Sequence, residues 1–76
     1  MKRLNDLKIN EMAIIKKIDA SEDIRKRLFD IGFVKGVKIK PVFVSLGNDM
    51  VAYNIKGTVM AVRKTDTEDI FVEEAI

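Results

Sequence analysis

A mainly β fold, a small partly closed barrel of five strands with one α-helix, is predicted by three features of the chain. Short apolar runs with strand-type alternation recur along it, separated by turn residues. One segment has helical periodicity instead, with Ile24, Leu28 and Ile31 at i, i+4 and i+7. Between these regimes, from Arg27 to Ile39, a helix stops at Gly32 and a strand starts after Gly36. A helix commonly ends on a left-handed residue, and glycine takes that conformation without strain. The 76 residues leave room for one core, so residues 1–76 are read as a single domain.

Leu4, Leu7 and Ile9 form an apolar opening segment, and Asn10-Glu11 reads as a turn. Met12–Ile18 is a strand with imperfect alternation, because Ile14 and Ile15 are adjacent and Lys16 and Lys17 follow. A β-bulge reconciles that pattern, and small barrels turn corners with bulges. The helix is expected over Ser21–Ile31. Asp19 with Glu22 has capping-box spacing; alternatively Ser21 caps, with Glu22 and Asp23 complementing the helix dipole. Lys26 and Asp30 can pair at i, i+4 on the outer face.

Val37–Ser45 is a longer strand interrupted by Pro41, which removes a ladder donor and therefore marks an edge or a bulge. Leu46-Gly47-Asn48-Asp49 is a turn. Met50–Ile55 returns with Val51, Tyr53 and Ile55 on one face. Lys56-Gly57 makes a tight connection to Thr58–Arg63, Asp66–Asp69 a short helical turn, and Ile70–Val72 the last strand. Sequential short strands with tight turns define a barrel of SH3-like type.

Composition narrows the chemistry. Neither cysteine nor histidine is present. That removes disulfides, thiolates, the usual zinc and haem ligands and the commonest general base. No nucleophile–base pair can be assembled, so no catalytic residue and no cofactor or metal site is expected. Gly32-x-x-x-Gly36 lacks the Lys-Ser/Thr of a phosphate loop and leads into a strand. No stretch approaches the ~20 apolar residues of a membrane span, and no apolar signal segment follows the first residues; a cytoplasmic protein is expected. Net charge is +2, unevenly placed: residues 1–40 carry eleven Lys or Arg against six Asp or Glu, and residues 41–76 three against six. Such a dipole would orient partners.

The residues resemble a known family. Leu4-x-x-Leu7, then Ala13-x-Ile15, then Arg27-Leu28-x-Asp30-Ile31-Gly32-Phe33-x-x-Gly36-x-x-Ile39, then Gly57-x-x-Met60-Ala61-Val62-Arg63 and Ile70-x-Val72 follow in order over nearly the whole chain. This pattern is similar to that of ferrous iron transport protein A, the FeoA family. The same module resembles the C-terminal SH3-like domain of diphtheria-toxin-repressor-type iron-dependent regulators. Ile9-Asn10 stands where the family often has Pro-Gly, Lys35 where a proline often precedes the second glycine, and Thr67 where alanine is common. Asparagine also enters the left-handed region, which preserves the turn.

The resemblance implies a cytoplasmic accessory protein of bacterial ferrous iron uptake. Its expected partner is the FeoB membrane transporter, which has a cytoplasmic GTPase domain. It is expected to assemble or regulate that transporter, without conducting iron or hydrolysing GTP itself. Arg63 falls on an arginine of the pattern, expected to tie the last turn to the helix through main-chain carbonyls or else to meet a partner.

Four residues are candidates for partner contact. Leu46 is apolar in a turn, where polar residues are the default. It either folds over the core or anchors a partner, with Met50 and Tyr53 nearby and Arg63 as the fourth. The five aromatics, Phe29, Phe33, Phe43, Tyr53 and Phe71, are mostly expected in the core, with Tyr53 alone showing a polar edge. The alternative function is a nucleic-acid-binding small barrel, or the SH3-like domain of a metal-dependent transcription regulator, suggested by a pI of about 9.0. Against it, the basic residues are not interleaved with stacking aromatics.

Overall fold

The computed structural model describes residues 1–75. In chain order it comprises β1 (Lys2–Arg3), a 3-10 turn (Leu4–Asp6), β2 (Ala13–Ile18), α1 (Glu22–Asp30) and β3 (Lys38–Val44). Then follow β4 (Met50–Ile55), β5 (Thr58–Arg63), α2 (Lys64–Thr67) and β6 (Ile70–Glu74). The strands form one antiparallel sheet in the order β1-β6-β2-β3-β4-β5, bent around a single core. This is the expected mainly β, SH3-like architecture. Among the described residues there are six strands, one more than expected. The extra strand is β1, paired Lys2 to Val72 and Arg3 to Phe71. Two residues are too short to show any periodicity.

Two bulges bend the sheet, both where alternation fails. In β2 the register with β6 slips between Ile15 and Lys17. Strict alternation would carry Lys17 inward after Ile15. The extra residue instead brings Ile18 onto the core. In β3 the register with β4 slips between Pro41 and Phe43. Pro41 is thus a bulge residue on an interior strand.

Helix α1 is capped by Ser21, whose Oγ accepts from the Ile24 N–H at 3.4 Å. Its C-terminus closes with a Schellman motif. Gly32, at φ +98°, donates to the Phe29 carbonyl at 3.1 Å, and Phe33 donates to the Leu28 carbonyl at 2.9 Å. This exit drops Phe33 into the core, where its ring meets Tyr53 edge-on at 5.6 Å between centroids. The helix spans one residue less at each end than expected, because Ser21 and Ile31 are its caps. Its outer ion pair is Lys26 with Glu22 at 3.6 Å, in place of the expected Lys26–Asp30 pair.

Gly36 (φ +92°) donates to the Ile15 carbonyl at 2.7 Å, stitching the loop after α1 to β2. Asn10 takes a left-handed φ of 70° and donates to the Pro41 carbonyl at 2.7 Å. The short helical turn lies at Lys64–Thr67, two residues earlier than expected. Thr67 explains that placement. It is buried, and its hydroxyl donates to Asn5 Oδ1 at 2.7 Å, while Asn5 Nδ2 donates to the Lys64 carbonyl at 3.0 Å. The core is built from Leu4, Ile15, Leu28, Phe33, Ile39, Tyr53, Ile55, Ile70, Val72 and their neighbours.

Candidate functional site

Leu46 sits at the tip of the β3–β4 turn with its side chain fully exposed, so it does not fold over the core. The turn is well tied. Asn48 N–H donates to the Ser45 carbonyl at 2.9 Å, and Met50 N–H donates to Ser45 Oγ at 3.2 Å. Ser45 Oγ donates to Asp49 Oδ1 at 2.9 Å, and Lys64 Nζ donates to Asn48 Oδ1 at 2.8 Å. The apolar tip is therefore held out by polar contacts that span the turn and the start of α2. Phe43 and Val44, at the end of β3, are exposed next to it in sequence.

Met50 and Arg63 come together as directly opposed residues of β4 and β5. Both line a groove of about 430 Å³ between the β5 edge and α1, with Ile24, Ile31, Ala61 and Asp66 on its walls. Arg27 approaches Asp66 at 3.9 Å across it. Met50, Arg63 and the nearby Leu46 thus mark one end of the barrel. Among the described residues the Arg63 side chain makes no hydrogen bond to a main-chain carbonyl, so the first of its two expected roles is not seen, and the residue is exposed.

Tyr53 is the sequence candidate that the structure separates from this surface. It is 1 % exposed and wholly within the core, so it shows no polar edge. Burial pushes its phenol up to about 12, with the Thr67 hydroxyl acting in the opposite sense. The phenylalanines correct the reading in the other direction. Phe33 is enclosed, but Phe29 is 67 % and Phe43 57 % exposed.

Phe29 stands in a second groove with Lys16, Lys17, Arg25, Lys26 and Lys35, against Glu22 and Asp30. Helical phase is the signal that discloses this basic groove, since residue type alone sends Phe29 to the core. Its helical phase, one residue past Leu28, points away from the Ile24–Leu28–Ile31 face.

The charge asymmetry of the sequence is partly cancelled by topology. The acidic end of β6 lies between the basic strands β1 and β2. Glu73 meets Lys16 at 3.8 Å, and Glu74 meets Lys2 at 3.9 Å. Glu11 accepts from the Lys8 N–H and from Lys2 Nζ, each at 2.9 Å. These hold its carboxyl below the usual carboxylate range, and the Glu11 hydrogen bond raises the Lys2 ammonium. Among the described residues no three Asp or Glu converge as a metal site, and no helix is long and apolar enough to cross a membrane.

Six antiparallel strands bent around one core, with a capped helix and two surface grooves, define the class of small SH3-like domains. The FeoA domain family matches residues 2–74, and the chain belongs to that family. It is 29 % identical over 69 residues to an Fe(2+) transport protein A of Campylobacter jejuni, covering 91 % of this chain and 93 % of that one. It is 32 % identical over 71 residues to an Fe(2+) transport protein A/Fe(2+) transporter FeoB fusion protein of Porphyromonas gingivalis. That match covers 93 % of this chain and 8 % of the fusion. The solution structure of a FeoA protein from Chlorobium tepidum superposes with a TM-score of 0.88 at 28 % identity, covering 97 % of this chain and 70 % of that one. IdeR of T. acidophilum shares the fold alone, with a TM-score of 0.85 at 24 % identity over 96 % of this chain and 33 % of that one.

Proposed function

We propose that this protein is a cytoplasmic accessory component of ferrous iron uptake that assembles or regulates a FeoB transporter through protein–protein contact. Iron is the transporter's cargo in this reading, and the small protein neither conducts it nor hydrolyses nucleotide. The observation that carries the reading is the Porphyromonas gingivalis fusion, in which a relative of this whole chain is covalently joined to FeoB. Covalent joining raises the local concentration of two modules toward the millimolar range, which is useful when the modules engage each other.

The surface that best supports such contact is the end of the barrel carrying Leu46, Met50 and Arg63. Leu46 is an apolar side chain presented on a tied turn, and Met50 lines an apolar groove beside it. Tyr53 supports this surface only from within. The absence of His and Cys from the sequence supports a non-enzymatic role. Likeness to metal-dependent repressors is one of fold, so it does not favour the regulator alternative. The test is capture of the intact cognate ferrous transporter from detergent-solubilised membranes, with and without guanine nucleotide. Retention of FeoB above a beads-only control supports the reading, and no retention in either nucleotide state removes it.

A further inference from the structure

The two edges of the sheet differ in a way that points to a partner. The β1 edge is blunted: two residues long, both cationic. The β5 edge is six residues long and pairs with β4 in unbroken register, without bulge or proline. Its one charged residue, Arg63, is at the end, and Val59 and Ala61 are exposed.

Alternation identifies which backbone groups of β5 face outward. Lys64 N–H donates to the Asp49 carbonyl at 2.9 Å. The two-residue turn Lys56-Gly57 makes Ile55 and Thr58 a hydrogen-bonded pair. Both ends of the ladder give the same phase: Thr58, Met60 and Val62 bond to β4. Val59, Ala61 and Arg63 therefore direct their N–H groups away from the sheet, as Val59 and Ala61 do their carbonyls. The Arg63 carbonyl is approached by Thr67 Oγ1 at 3.5 Å. The other outward groups have no protein hydrogen-bond partner among the described residues.

We propose that β5 is a self-pairing edge, through which two copies of this chain join antiparallel about a two-fold axis at Ala61. In that register each Ala61 N–H donates to the Ala61 carbonyl of the other copy. Each Arg63 N–H donates to the Val59 carbonyl opposite. The register suits a second copy in particular. Arg63 falls opposite Val59, so no like charges face each other. The small Ala61 lies at the axis, so no bulky or charged side chain faces its own copy there. Continuing the register carries Lys56 of one copy toward the α2 turn of the other, where Asp66 is acidic. Val62, which lines the groove with Ile24, Leu28 and Ile31, falls opposite Met60 of the other copy.

Sedimentation velocity on the full chain over a wide concentration range, with amide hydrogen exchange at the two extremes, tests this. The expected result is a rise from the 8.6 kDa monomer toward twice that mass. With it, the Val59, Ala61 and Arg63 amides exchange more slowly while those of Thr58, Met60 and Val62 stay as they were. Ala61→Pro removes an outward donor without touching the β4 ladder, and Ala61→Lys sets like charges together at the axis. Each is expected to weaken dimerisation by roughly tenfold or more. If either variant misfolds, the wild-type exchange pattern decides alone. A monomer at every concentration overturns the proposal, as does a dimer whose three outward amides stay unprotected. Protection of those amides only on adding the FeoB transporter also overturns it, and gives the edge to a transporter segment.

Discussion

Replacing Tyr53 with phenylalanine isolates one ionisable group inside the core. The unfolded chain releases a phenol proton near pH 10, whereas burial holds the folded Tyr53 proton up to about 12. Between those values the unfolded state is favoured by losing its proton. The stability involved is fully present below pH 10 and falls as pH rises through the folded value. Two pH units correspond to about 3 kcal/mol, a large share of the ~4–11 kcal/mol expected for a domain of this size.

The assay is urea denaturation of wild type and Tyr53→Phe from pH 8 to pH 12. Lysine titration affects both proteins and cancels in the difference. The wild type should lose about 2 kcal/mol relative to the variant by pH 12, where the folded phenol is itself half-ionised, with the gap opening only above pH 10. The chain has one tyrosine and no tryptophan, so phenolate absorbance reports this residue directly. Titration near pH 10 with the fold intact would refute the enclosed position of the ring.

Three further outcomes follow from the same packing. Leu28→Ala, at a site 2 % exposed, should cost ~2–5 kcal/mol in chemical denaturation, and an unchanged midpoint would contradict its core role. Gly32→Ala should cost about 1–2 kcal/mol through its left-handed φ, since a Cβ there would meet Ile55 Cγ2 at an ordinary 3.7 Å. Gly32→Asn should cost less, and equal losses by thermal melt would point to steric crowding instead. Leu46→Ser should leave the melting temperature nearly unchanged while weakening FeoB capture by about 2 kcal/mol or more; a fall in stability with normal capture would reverse that assignment.

What the chain discloses about itself depends on how local the cause is. The end of α1 was legible because Gly32 acts through its own backbone dihedral and its immediate neighbours. The β4–β5 turn was legible at Lys56-Gly57 for the same reason. Phe43 was not. Alternation from Ile39 through Pro41 would send it inward, and the bulge at Pro41 turns it out. Tyr53 shows the opposite error. Its alternation with Val51 and Ile55 places it on one face with them, but its hydroxyl argues for the surface; Thr67 beside it settles the matter from twelve residues beyond the strand. The groove at Met50 and Arg63 needed the long-range placement of α1 against β5, which no local pattern encodes. Leu46 was visible as an anomaly, an apolar residue in a turn, and its exposure resolves which of two readings applies.

The central claim is tested most directly by measuring binding between this protein and the intact cognate FeoB transporter reconstituted in nanodiscs, in parallel with Leu46→Ser and Met50→Lys. The account predicts saturable binding by the wild type and loss by at least one of these variants while it remains folded. No binding of folded wild-type protein to a GTPase-competent transporter, with or without guanine nucleotide, would contradict it.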